Sequence, residues 1–324
     1  MCGPDTGVEV VAVCDLSEEA LKTARELTGL DESTCYTDYE TALDNSGAEC
    51  VIICAPTAFH CSLAKQAVDR GLPVLCEKGM APDWDAARDM VDFGRERDGV
   101  FCVSQNYRYN GLERTIQRSI ADPSVRITWA MCSLSTFIII VFARFSGCST
   151  IRSPPCGKCR VTTSTISRSG WGPVSEMTAH ASRADWSAYE HPANTSVFMR
   201  FENGAVVNYF HGHDAARGEL RVAVHGSRGA LIGSVLDRTS SIGGLERLEY
   251  TPRPATQFGA GEPYNVPFAD HLGEAGVLAD FRTYIQGGPV PGISGYQNLN
   301  VMALCKMVVM SVETGQTVNR EELT

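Results

Sequence analysis

The chain has 324 residues, 44% hydrophobic and 20% charged, a composition that excludes a disordered or fibrous protein and leaves room for two domains over a large core. With 38 acidic against 28 basic residues and a formal charge of -10, its surface repels nucleic acid and anionic lipid, so small-molecule chemistry is expected and no nucleic-acid partner. The thirteen cysteines are scattered, and Cys14, Cys50, Cys54 and Cys76 lie inside apolar runs, the pattern of free thiols in a reducing cytoplasm and not of a disulfide framework. No basic then apolar leader opens the sequence, and its most lipid-like run, Phe137 to Phe142, falls far short of the roughly 20 residues a membrane span needs.

In chain order, VEVVAVCD from Val8 reads as a strand ending in an acid. Ser17 is a helix cap, and Leu21, Ala24 and Leu27 follow at helical spacing up to Gly29. The pattern repeats: a strand over Glu49 to Ala55, a helix over His60 to Asp69 stopped by Gly71, a strand over Pro73 to Cys76, a helix opened by Asp83 and running to about Arg97, and a strand over Val100 to Ser104. Alternation of this kind predicts a doubly wound parallel sheet with ligands outside the carboxyl ends of its strands. After about Pro123 the style changes. Phe198 to Phe201, Ala205 to Tyr209, Leu220 to His225 and Leu231 to Ser234 are strand-like, joined by the turn pairs Asn203-Gly204 and Arg228-Gly229, which predicts an antiparallel sheet. A closing helix from about Tyr296 to Thr314 offers Leu299, Met302, Ala303 and Met310 for packing.

Three strand ends carry residues suited to chemistry. Asp15 stands between a strand and a helix, where a carboxylate accepts both ribose hydroxyls of an adenine dinucleotide; an acid favoured by the helix dipole is the competing explanation. No arginine follows it immediately to take a 2′-phosphate, which favours NAD over NADP. ICAPTAFH, Ile53 to His60, offers backbone and hydroxyl groups of Pro56 and Thr57 to the nicotinamide side, or is simply a proline-set turn with His60 in a first helical turn. Glu77-Lys78 ends the next strand. A lysine in a cleft hydrogen-bonds a substrate hydroxyl while hydride leaves the same carbon, and the neighbouring carboxylate orients it; a surface ion pair is the alternative.

Together VEVVAVCD, ICAPTAFHCSLAKQAVDRGLPVLCEKGMAP, VSQNYRY, FENGAVVNY, VAVHGSRGAL and VETGQTVN resemble the glucose-fructose oxidoreductase, inositol dehydrogenase and rhizopine-catabolism family (Gfo/Idh/MocA). The resemblance implies a Rossmann-like doubly wound domain over residues 1–122, its first strand and glycine-rich loop missing. An α+β domain with an open, mainly antiparallel sheet follows over 123–324. It implies hydride transfer between NAD(P) and a sugar, inositol or related polyol. Lys78 takes the catalytic position beside Glu77; Asp15 is the ribose acid; Ala55, Pro56, Thr57 and His60 join them around the cofactor. Tyr107 and Arg108 face the substrate or cover the sheet edge. One departure stands out, Gly79 where the family has proline, leaving the loop freer. A broad sheet face with excess apolar area implies a homo-oligomer.

Residues 132–170 do not fit. No acid occurs between Asp122 and Glu176, and no histidine between His60 and His180, whereas the family carries here a helix of the form Asp-x-Gly-x-His-x-x-Asp that completes its active site. Half a zinc site at Cys156 and Cys159, a basic partner-binding loop, and a stretch read out of frame compete as explanations. The last is preferred, because sequence on both sides keeps the family's spacing, and no metal is expected. His211 and His213 beside Asp214 read as surface residues of a strand end, and His180 as a strand residue. Little or no dehydrogenase activity is expected of the literal chain. The rival reading is a non-catalytic relative serving as a binding or scaffold protein.

Overall fold

The computed structural model describes residues 7–120, 127–137, 173–187, 189–236, 245–253 and 261–323. The chain divides into two compact units, residues 1–109 with 272–299, and residues 110–271 with 300–324. Residues 138–170 of the aberrant stretch, and with them the cysteine pair, lie outside the described residues.

In the first unit β1 (Val13–Cys14) pairs in parallel with β2 (Cys35–Tyr36). A separate parallel sheet runs β3 (Val51–Ile53), β4 (Val74–Cys76) and β5 (Phe101–Val103). The helices α1 (Glu18–Thr28), α2 (Tyr39–Asn45), α3 (His60–Asp69) and α4 (Trp84–Glu96) connect them. Local chemistry sets their limits: the hydroxyl of Ser17 accepts from Ala20 N, the carboxylate of Asp83 from Ala86 N, and Gly29 closes α1 at φ 74 with its N–H on Arg25 O. Leu21 is buried in α1, but Leu27 is 82% exposed and is not part of the buried stripe. Six residues at about 100° each turn it some 240° from Leu21, to the far side of the helix. Strands β4 and β5 are buried along their whole length, as a sheet covered on both faces requires. A later helix, α6 (Gly273–Ile285), joins this unit, packing Val277, Leu278 and Phe281 against Leu75 and Cys102.

The second unit holds α5 (Gly111–Ile120) and a nine-stranded sheet. In chain order its strands are β6 (Ile127–Phe137), β7 (Val174–Ser182), β8 (Asn194–Phe201), β9 (Val206–Gly212), β10 (Asp214–Gly226), β11 (Gly229–Leu236), β12 (Leu245–Pro252), β13 (Tyr264–Asn265) and β14 (Val318–Asn319). They lie in the order β13-β12-β11-β10-β6-β9-β8-β7-β14. Every pairing is antiparallel except β6 with β9. The turn at Asn203-Gly204 forms as its chemistry dictates: Gly204 sits at φ 85 and Asn203 Oδ1 accepts from Ala205 N. One face of the sheet packs Val197, Met199, Phe201 and Val207 against Leu304, Met307 and Val308 of α7 (Gly295–Thr314). From the opposite face Phe198, Phe210 and Ile232 are exposed.

Candidate functional site

Each proposed residue of the first unit lies just beyond a parallel strand. Asp15 follows β1: its N–H reaches Tyr36 O at 3.1 Å, and its exposed carboxylate accepts the N–H of Ser17 at 2.8 Å. The acid therefore works locally as a turn-forming group at the entry to α1, and it stands open to solvent. Beyond β3, Pro56 starts a single 3-10 turn, Thr57–Phe59, in which Phe59 N donates to Pro56 O at 2.9 Å. Pro56 is exposed, with Ala55 and Thr57 half-buried.

His60 is only 1% exposed. Its Nδ1 lies 2.5 Å from Gly79 O and its Nε2 2.6 Å from Ala55 O, so the ring lies between the turn after β3 and the turn after β4, and a neutral imidazole donates to one of the two carbonyls. The Lys78-Gly79 peptide is cis. Proline's absence does not leave this backbone free, because its carbonyl lies against the buried imidazole.

Lys78 and Glu77 are half-buried beyond β4. The carboxylate of Glu77 accepts the backbone N–H of Lys78 at 3.0 Å. The ammonium of Lys78 donates to Asn106 Oδ1 at 2.5 Å and stands 5.2 Å from the centroid of the Tyr107 ring, a cation-π distance. Asn106 Nδ2 in turn donates to Glu274 Oε1 of α6 at 2.6 Å. Tyr107 and Arg108 belong to the 3-10 turn Asn106–Tyr109 that follows β5, and Arg108 N donates to Gln105 O at 3.0 Å. The neighbouring Cys76 thiol is buried, and burial pushes its pKa far up; it stays neutral and supplies no nucleophile. The Tyr109 hydroxyl is likewise raised by burial and by its 2.6 Å bond to Asp280.

Two residues of this constellation escape sequence reasoning. Asn106 sits inside VSQNYRY, one position before Tyr107, but nothing marks its amide as the partner of Lys78. Glu274 is 196 positions from Lys78 and looks like any acid in a first helical turn.

In the second unit His211 is 3% exposed and not the surface residue its strand-end position suggests. Its Nδ1 lies 3.1 Å from the Tyr209 hydroxyl and its Nε2 2.7 Å from His213 Nε2. Burial, with His213 beside it, pushes its pKa down to about 4. Among the described residues no group of three or more His, Cys, Asp or Glu is placed to hold a metal ion.

The first unit suits a nicotinamide dinucleotide at two ends. An exposed carboxylate after β1 matches a ribose diol, and the turns after β3 and β4 present Thr57 and Lys78. A pyrophosphate needs the amides of a glycine-rich turn. Gly7, the one described glycine before β1, does not supply it: the place of its Cβ is filled by the guanidinium of Arg282.

Residues 3–105 match the model of an oxidoreductase family with an NAD-binding Rossmann fold. Over 98% of its length the chain is 25% identical to D-apiose dehydrogenase of Paraburkholderia graminis, covering 84% of that protein. Over 33% of its length it is 40% identical to inositol 2-dehydrogenase of Streptomyces avermitilis, covering 32% of it. The fold superposes on an oxidoreductase from Agrobacterium radiobacter solved with NAD+, L-tartaric acid and magnesium, with a TM-score of 0.77 at 19% identity over 97% of this chain and 92% of that one. It also superposes on a dehydrogenase from Bordetella pertussis solved with NADH and UDP-GlcNAcA, with a TM-score of 0.75 at 17% identity over 96% and 90%. The Rossmann match over residues 3–105, the similarity along most of the chain and the shared fold agree: the chain is similar to oxidoreductases of the Gfo/Idh/MocA family.

Proposed function

We propose that this protein moves hydride between NAD and a sugar, inositol or related polyol, with Lys78 at the reacting hydroxyl. The observation that carries the reading is that Asp15, the Ala55–Thr57 turn and Lys78 each occupy the carboxyl end of a parallel strand, where doubly wound sheets take their ligands. NAD supplies the hydride acceptor. Asp15 would hold its adenosine ribose and repel a 2′-phosphate, and Ala55, Pro56 and Thr57 would line the nicotinamide side. Glu77 fixes the Lys78 backbone, leaving the side chain to meet the substrate oxygen. In its neutral form Lys78 takes the hydroxyl proton as the carbinol hydrogen leaves, and returns it in the reverse direction. The relatives that act on D-apiose and inositol support a polyhydroxylated substrate.

The sequence contains no Asp-x-Gly-x-His helix, and loss of a partner base lowers such a rate by about 100-fold or more. Slow transfer is therefore expected. No disulfide joins Cys14, Cys35, Cys61, Cys76 or Cys102, which supports a reducing, cytoplasmic setting, and no helix among the described residues is long and apolar enough to cross a membrane. The exposed Phe198, Phe210 and Ile232 on one sheet face support a homo-oligomer.

Titration of NADH fluorescence tests the cofactor assignment. Saturable binding that weakens about tenfold or more in Asp15→Ala is expected, the loss of a charge-assisted bond pair, with NADPH bound more weakly than NADH. No binding of either nucleotide, or NADPH bound as tightly as NADH, would overturn it.

A further inference from the structure

We infer that Asn106 and Glu274 are positioning residues for Lys78, acting as a hydrogen-bonded chain that fixes where its ammonium points. The inference rests on the reading of Lys78 as the residue at the substrate hydroxyl, and adds two residues to it.

The argument begins with the amide. An ammonium only donates and a carboxylate only accepts, so Asn106, placed between them, has one orientation that satisfies both: Oδ1 toward Lys78 and Nδ2 toward Glu274. Reversing the amide would set N–H against N–H and oxygen against oxygen. Glu274 therefore determines which atom Lys78 sees, although it lies one residue further out. Both contacts are charge-assisted, the stronger class of hydrogen bond.

The backbone on either side is fastened as well. Leu272 N donates to Tyr109 O at 2.9 Å, and the Tyr109 hydroxyl donates to Asp280 at 2.6 Å. Gly276 leaves no room for a Cβ beside the Tyr109 ring. The turn Asn106–Tyr109 is thus held against the first two turns of α6 at several points, and Glu274 is the one whose contact leads to Lys78. A helix dipole explains an acid in a first turn; it does not explain an amide locked between that acid and a lysine.

The arrangement restricts a flexible four-carbon side chain whose ammonium otherwise samples many positions. With Asn106 Oδ1 on one side and the Tyr107 ring on another, the ammonium is brought to one place before a substrate arrives. That pre-organisation is what proton transfer at a defined carbon requires.

Competitive trace acylation of the full chain with acetic anhydride reads this directly, with Lys65, half-buried and paired with Asp89, as internal reference. The reactivity of Lys78 relative to Lys65, quantified by peptide mass spectrometry, is expected to rise about fivefold in Glu274→Ala, the effect of weakening one charge-assisted bond. It should stay within about twofold of the parent in Glu274→Gln, which keeps an acceptor for the Asn106 amide. Asn106→Leu should behave as Glu274→Ala does and serves in its place if that variant does not fold. Equal reactivity in Glu274→Ala and Glu274→Gln, or no change in either Glu274→Ala or Asn106→Leu, would overturn the inference. Labelling needs neither nucleotide nor turnover, so the expected pattern alongside absent hydride transfer would count against the functional reading alone.

Discussion

His60→Ala removes the imidazole that lies between the turn after β3 and the turn after β4. The ring is 1% exposed and reaches Ala55 O at 2.6 Å and Gly79 O at 2.5 Å. Leaving a half-buried acceptor without its partner costs toward the lower end of about 1–3 kcal/mol, and the volume vacated by the ring adds a cavity cost of about 1–2 kcal/mol. Partial relaxation and water entry reduce the total, so a loss of about 2 kcal/mol is expected. That is a large share of the roughly 5–15 kcal/mol by which a domain is stable. Urea unfolding followed by tryptophan fluorescence and circular dichroism measures it. Asn and Gln at position 60 each place an amide nitrogen near one ring nitrogen, so each should recover part of the loss. A change below about 1 kcal/mol in His60→Ala, or identical losses in the Ala, Asn and Gln variants, would refute the view that this ring supports the two turns.

Three further outcomes follow from the same structure. Gly276→Ala should destabilise the chain by about 1–3 kcal/mol despite alanine's better helix propensity, because the added methyl meets the Tyr109 ring; thermal unfolding at two scan rates checks it. His211 has a folded pKa of about 4 against 6.5 as the ordinary value. Its neutral form is therefore favoured by folding, and the stability it contributes is present above pH 6.5 and lost as pH falls toward 4, by up to about 3 kcal/mol. Denaturant midpoints at pH 7.5 and 4.5 should show that drop in the parent and a smaller one in His211→Gln. Replacement of Phe210 by Ser on the exposed sheet face should lower the assembly state seen by sedimentation, the outcome expected of the proposed homo-oligomer built on that apolar patch.

Much of this molecule was legible where local chemistry and periodicity agree. Ser17, Asp83 and Gly29 mark helix ends through side-chain and backbone bonds a few residues long, and the short apolar runs became β3, β4 and β5. Lys78 and Asp15 stood out for the same reason, since a charged group at a buried strand's end is local information. Leu27 was misleading because three-residue spacing drifts off a 3.6-residue face. Helix α6 left a weak trace, with Gly273 and Gly276 inside it and Gly287 just beyond. Its core role depends on packing against Leu75 and Cys102, distant in sequence. Glu274 and the burial of His211 were illegible for that reason too: both depend on what the fold brings alongside.

The most direct test of the central claim is isotopic. The purified chain would be incubated with NAD+ and polyols carrying deuterium on their carbinol carbons, and the nucleotide pool examined by mass spectrometry for deuterated NADH. Slow, protein-dependent transfer from at least one polyol, abolished in Lys78→Met, is the expected result. Unlabelled nucleotide with every polyol tried, or transfer undiminished in Lys78→Met, would contradict the assignment of Lys78 to the reacting hydroxyl.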